Sequence, residues 1–173
     1  MATKRIQIRQ MTLMAMLTAL CVVLRIVKII PVPNVQPVTD ILMIVILVMG
    51  SSFGLGLTLM TMLLSNMVLG LGIWTIPQIL AYTVCILTVA WLAKIIPIRK
   101  HLIWQLILAT FLGFEYGFFV SIGMSIYGGI AAFFAYWISG LVFDSFHAIG
   151  NFGFYLILYK PLAVALKRYV NHS

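Results

Sequence analysis

The sequence predicts an all-α integral membrane protein with six transmembrane helices, both termini cytoplasmic and a single transmembrane domain over residues 1–173. Three observations predict it. Of the 173 residues, 64% are hydrophobic and only 8% charged, where a soluble domain averages about 45–50% apolar and about 25% charged. The mean hydropathy is +1.16, which excludes a disordered chain as well. The stretch from Ile41 to Ala93 holds 53 consecutive uncharged positions, far more than the roughly 20 that one crossing needs.

The basic residues decide the count. The net charge is +8, but it falls in short clusters beside apolar runs: Lys4, Arg5 and Arg9; Lys94, Arg99 and Lys100; Lys160, Lys167 and Arg168. A nucleic-acid binder needs a continuous basic face on a soluble module, whereas clusters flanking spans mark the cytoplasmic side. With the first two clusters on the same side, an even number of crossings separates them. Helix one supplies one, so Ile41 to Ala93 supplies three.

Each span follows from its breakers. The expected spans are about 10–30, 38–50, 53–70, 74–96, 102–125 and 136–166. Helix one starts after Arg9 and gives way to a loop with three prolines, Ile30-Pro-Val-Pro-Asn-Val-Gln-Pro-Val-Thr-Asp40, which hold an extended course. It is not a cleavable signal peptide, because Arg25 and Lys28 interrupt its end and no small-residue cleavage site follows. Gly50-Ser-Ser-Phe-Gly54 and Gly70-Leu-Gly72 divide the uncharged stretch. Helix two is short for a roughly 30 Å core and either borrows neighbouring residues or crosses a thinned region. Two further crossings link His101 to the basic C-terminal end. Nine of the eleven basic residues then lie on or near the inner side, Arg25 and Lys28 being the exceptions.

The sequence excludes several functions. No GxxxxGK[ST] motif is present, so energy must come from an ion gradient or a partner. The two halves do not resemble each other, which argues against a carrier built from repeats. Cys21 and Cys85 form no disulfide framework and no metal-ligand spacing. No catalytic residue, cofactor or metal site is expected.

The polar residues gather in the outer half. Only three are acidic, Asp40, Glu115 and Asp144, and ionisable groups inside a membrane usually face a cavity or a partner. Asp40 either pairs with Arg25 or Lys28 across the first loop or meets a ligand. Glu115 and Asp144 have no basic neighbour in sequence and point to a cavity. Asp144, about eight residues down helix six, shares one face with His147 and Asn151 at i, i+3 and i+7. His147 alone reads more readily as a hydrogen-bonded packing residue than as a metal ligand. Helix four offers Trp74, Gln78, Tyr82 and Cys85, with Asn66 at the end of helix three. Trp74 and Tyr82 have a second reading, as belt aromatics at the membrane surface. Asn34 and Gln36 in the first loop either contact a ligand or cap the loop itself. Together these residues describe an aromatic and amide-lined cup suited to a small organic ligand.

Ala15 and Ala19 form a small-xxx-small pair on helix one, with Thr12 on the same side, where another helix can approach closely. Gly50/Gly54 and Gly113/Gly117 share the spacing and read as internal packing.

Six short spans, the Ala15-Met-Leu-Thr-Ala19 pair and an outward polar cup resemble the substrate-binding S components of energy-coupling factor (ECF) transporters. The resemblance covers essentially the whole chain. Its most specific stretches are Pro33-Asn-Val-Gln-Pro37 and Ser65-Asn-Met-Val-Leu-Gly-Leu-Gly-Ile-Trp-Thr-Ile-Pro-Gln78, and this pairing looks like the cobalamin (vitamin B12) group. The resemblance implies a non-enzymatic subunit in a prokaryotic cell membrane. It implies docking through Ala15 and Ala19 to a transmembrane T component served by two ABC-type ATPases. It implies a vitamin carried inward as the subunit topples in the bilayer. Riboflavin, pantothenate, folate and pyridoxine are alternative substrates. A stand-alone ion-coupled carrier and a ligand-free scaffold are the alternatives from other classes.

Overall fold

The computed structural model describes residues 2–27, 30 and 32–171, and among them every regular element is helical. The elements are α1 (Ala2–Ile26), α2 (Val38–Met49), α3 (Ser51–Leu69), α4 (Thr75–Ile95), a 3-10 turn (Ile98–Lys100) and a final helical stretch, Leu102–Asn171. That last stretch is two helices, because Gly128 and Gly129 are non-helical. They are called α5 (102–127) and α6 (130–171). Four segments are long and apolar enough to cross a membrane: Ile6–Ile26, Ser51–Leu69, Thr75–Ile95 and Leu102–Asn171.

The short helix α2 occupies the centre. Its sequence, VTDILMIVILVM, is apolar around the whole circumference apart from the first turn, and every residue from Val38 to Leu47 is buried. A helix with no polar face suits a protein core or lipid, and here its neighbours enclose it. It contacts α1, α3, α4 and the final helical stretch. Its 12 residues span about 18 Å. A single residue, Gly50, then turns the chain into α3 with φ of 94°, a conformation that favours glycine.

The sequence places a loop at 126–135, and the structure has helix there instead. Only Gly128 (φ −139°) and Gly129 (φ 66°) leave the helical region. The residues that follow, Ile130-Ala-Ala-Phe-Phe-Ala135, contain no turn former. The two arms are held together by an aromatic cluster, with Phe118 lying 5.8 Å from Phe133 and 5.7 Å from Trp137, both edge to face. Asp144 therefore lies about 21 Å along α6 from Ile130 rather than about 12 Å.

Lower in the hairpin the arms nearly touch. A Cβ on Gly113 would stand 2.6 Å from the backbone N of Ala148, and one on Gly117 would overlap the Asp144 carboxylate. Gly54 is equally tight against the Ile46 side chain. Gly54, Gly113 and Gly117 thus serve internal packing, while Gly50 is a turn residue with open space around it.

Candidate substrate site

One end of the bundle collects the C-terminal end of α1, the first turns of α2 and α4, and the last turns of α3. Arg25 is buried there with 7% of its surface exposed. A guanidinium removed from water is costly unless its donors find acceptors. Its Nη1 donates to Ser65 Oγ at 2.6 Å and lies 3.2 Å from Met62 Sδ, and its Nη2 donates to Gln78 Oε1 at 2.9 Å. Asn66 Nδ2 donates to the same Gln78 oxygen at 3.2 Å. Asn66 and Gln78 are thus brought together, with Arg25 and Ser65 as members the sequence did not single out for this role.

Arg25 does not pair with Asp40. Its side chain is drawn to α3 and α4, where three acceptor atoms converge. Lys28, the other expected partner, lies outside the described residues. Asp40 is fully buried, and its own backbone aside, neither carboxylate oxygen has a hydrogen-bond partner among the described residues.

A second cluster forms around the neighbouring residue, Thr39. Its Oγ1 lies 2.9 Å from His147 Nε2 and 3.4 Å from the Tyr82 hydroxyl. Tyr116 closes the ring, 4.6 Å from Tyr82 and 5.4 Å edge-on from His147. His147 Nδ1 is buried without a hydrogen-bond partner among the described residues. No group of three metal-ligating side chains occurs among them.

The polar stripe of α6 divides between three environments. His147 joins Thr39 and Tyr82. Asn151 donates from Nδ2 to the carbonyl of Ala109 at 3.0 Å, which fastens α6 to α5. Asp144 opens into a pocket of about 390 Å³ between α5 and α6, shared with Glu115. Glu115 Oε1 accepts from Thr88 Oγ1 at 2.6 Å, while Oε2 has no partner among the described residues.

The remaining expected contacts lie at the margins. Trp74 is 46% exposed and lies over Gly72, away from both clusters. Asn34 takes a left-handed turn with φ of 63°, and Asn34 and Gln36 are half-buried. Their loop leans on α6, where Val35 packs against Gly150. Thr39 and Tyr116 were legible only as polar atoms in apolar runs, since their partners lie far away in sequence.

Ala15 and Ala19 are exposed on α1. They line a largely apolar groove of about 770 Å³ between α1 and α3, together with Met11, Met14, Phe53 and Met60. The residue that the alanines lack in bulk is what leaves the groove open.

Comparison with known proteins gives one result. Neither the curated proteins nor the solved structures provide a match. The family model described as ECF transporter, substrate-specific component, matches residues 9–159, a range that holds both clusters, the α5/α6 pocket and the Ala15/Ala19 groove. On that match the chain belongs to the substrate-specific components of ECF transporters, the membrane subunits that bind the transported molecule and catalyse no reaction themselves.

Proposed function

We propose that this subunit captures a vitamin of the cobalamin type on the outer side of a prokaryotic cell membrane and delivers it inward when docked to a T component and two ABC-type ATPases. The chain crosses the membrane six times with both termini cytoplasmic. In this topology Arg25, Asp40, Asn66, Gln78, Tyr82 and His147 all fall in the outer half.

The observation that carries the reading is the part-buried Arg25–Gln78–Asn66 network with no carboxylate in it. A guanidinium fixed by neutral partners keeps its charge available, and two amides beside it can bond carbonyls or amides of a ligand. Tyr82 and Tyr116 add an apolar wall. The first loop supplies Asn34 and Gln36 above it. The Pro33–Pro37 and Ser65–Gln78 stretches support the cobalamin choice. Ala15 and Ala19 form the T-component docking face, supported by the groove beside them.

The test is a parallel titration of the purified subunit with cobalamin, riboflavin, pantothenate, folate and pyridoxine. Saturable binding of cobalamin is expected. Binding of one of the others with cobalamin silent would replace the vitamin and leave the subunit's role standing.

A further inference from the structure

The α5/α6 pocket is chemically unlike the rest of the bundle. Two of its lining residues are carboxylic acids, Glu115 and Asp144, and no Lys, Arg or His lines it. Around them stand Phe111, Phe114, Phe118 and Trp137. Asp144 is 96% buried, taking its 4% exposure, and has no hydrogen-bond partner among the described residues. Glu115 contributes one buried oxygen, Oε2, without a hydrogen-bond partner among the described residues.

Among the four carboxylate oxygens only Glu115 Oε1 has a side-chain hydrogen-bond partner among the described residues, the Thr88 hydroxyl. Asn151, two turns further along α6, donates its amide N–H to the Ala109 carbonyl, whereas the Asp144 carboxylate occupies the space that a Cβ on Gly117 would take. A buried carboxylate without partners is unfavourable, and it persists where a ligand completes it. Aromatic faces carry negative charge density and attract cations. Carboxylates surrounded by such faces favour an organic cation over a metal ion, which would want more oxygen ligands than two side chains provide. The volume of about 390 Å³ lies within the roughly 300–1,000 Å³ of small-molecule pockets.

We propose that the pocket between α5 and α6 binds a small organic cation, a quaternary ammonium or protonated amine, with Asp144 and Glu115 as counter-charges and Phe118 and Trp137 as the aromatic cage. The site is separate from the Arg25–Gln78 network and does not depend on which vitamin that network takes.

The experiment titrates the full-length protein in detergent with choline and benzyltrimethylammonium, and with 3,3-dimethylbutan-1-ol as choline's neutral isostere. Intrinsic fluorescence is the readout, and a Trp137→Phe variant identifies the reporting ring. Both cations should saturate, and choline should bind at least about 10-fold more tightly than the neutral isostere. Asp144→Asn should weaken both cations about 10-fold or more, and Phe118→Leu, which keeps both acids, should weaken them by a smaller factor. Each variant should elute from gel filtration and unfold on heating as the native chain does, which shows that the variant is folded. If neither cation saturates, if choline and its neutral isostere bind alike, or if a folded Asp144→Asn binds cations as the native chain does, the proposal is overturned.

Discussion

Arg25 Nη2 donates to Gln78 Oε1 across 2.9 Å, so the C-terminal end of α1 is fastened to the first turn of α4 by a side-chain bond. The same guanidinium reaches Ser65 on α3. One residue therefore sets the spacing of three helices around the proposed vitamin site.

Removing that residue should act through Gln78. Arg25→Met leaves the half-buried Gln78 amide oxygen with a single donor, and an unmade hydrogen bond costs about 1–3 kcal/mol. Vitamin affinity should fall about 5- to 150-fold. Gln78→Ala should produce a loss of similar size. Because the two residues act together, the double variant should lose less than the sum. Isothermal titration of the four proteins measures the coupling, and strict additivity would dissolve the proposed unit.

Asn151 should behave differently. Its amide holds α6 to the Ala109 carbonyl, so Asn151→Ala should lower stability by about 1–3 kcal/mol. The expected result is a lower midpoint of thermal unfolding in detergent with vitamin affinity nearly preserved. An unchanged midpoint with lost affinity would move Asn151 into the binding site.

The α1 groove offers a separation of functions. Ala15→Trp or Ala19→Trp fills the space beside Met11 and Met60 and blocks close helix approach. Vitamin uptake into proteoliposomes containing the T component and ATPases should drop to background, while binding by the isolated subunit persists. Loss of both together would make these alanines internal packing.

The glycines of the hairpin can be ranked by what surrounds them. Gly113→Ala drives a methyl to within 2.6 Å of the Ala148 backbone, and overpacking of this kind costs about 1–3 kcal/mol. Gly153→Ala meets nothing within 4 Å and should stabilise α6 by up to about 1 kcal/mol through helix propensity. Opposite shifts in the unfolding midpoint are expected, and equal shifts would contradict the close crossing of α5 and α6.

Much of the helical framework was legible in sequence because its signals are local. Gly50, Gly70 and the Lys94–Lys100 cluster end helices where they stand, and the starts of α2 to α5 fall within two residues of expectation, whereas α1 runs from Ala2 to Ile26 rather than from about 10 to 30. Helix α6 starts six residues earlier than the sequence predicts because a Gly-Gly pair suffices to reverse the chain when aromatic rings lock the arms. The site was less legible. Thr39 and His147 are 108 residues apart, and no periodicity links them. Arg25 was visible as a charge inside an apolar run, but its choice of Gln78 over Asp40 depends on how α3 and α4 converge. Glu115 and Asp144 share a pocket only because the hairpin folds back at Gly129.

That hairpin has an electrical consequence. Between Glu115 and Asp144 the chain carries no charged residue and no histidine over 28 positions. Moving one elementary charge through a membrane potential involves about 2.3 kcal/mol per 100 mV. The segment from Tyr116 to Phe143, turn included, carries none, so the potential acts on this hairpin only through the two acids that bound the segment and the charged residues beyond them. A bound cation that offsets Glu115 and Asp144 would therefore lower the electrical work of carrying this hairpin through the bilayer.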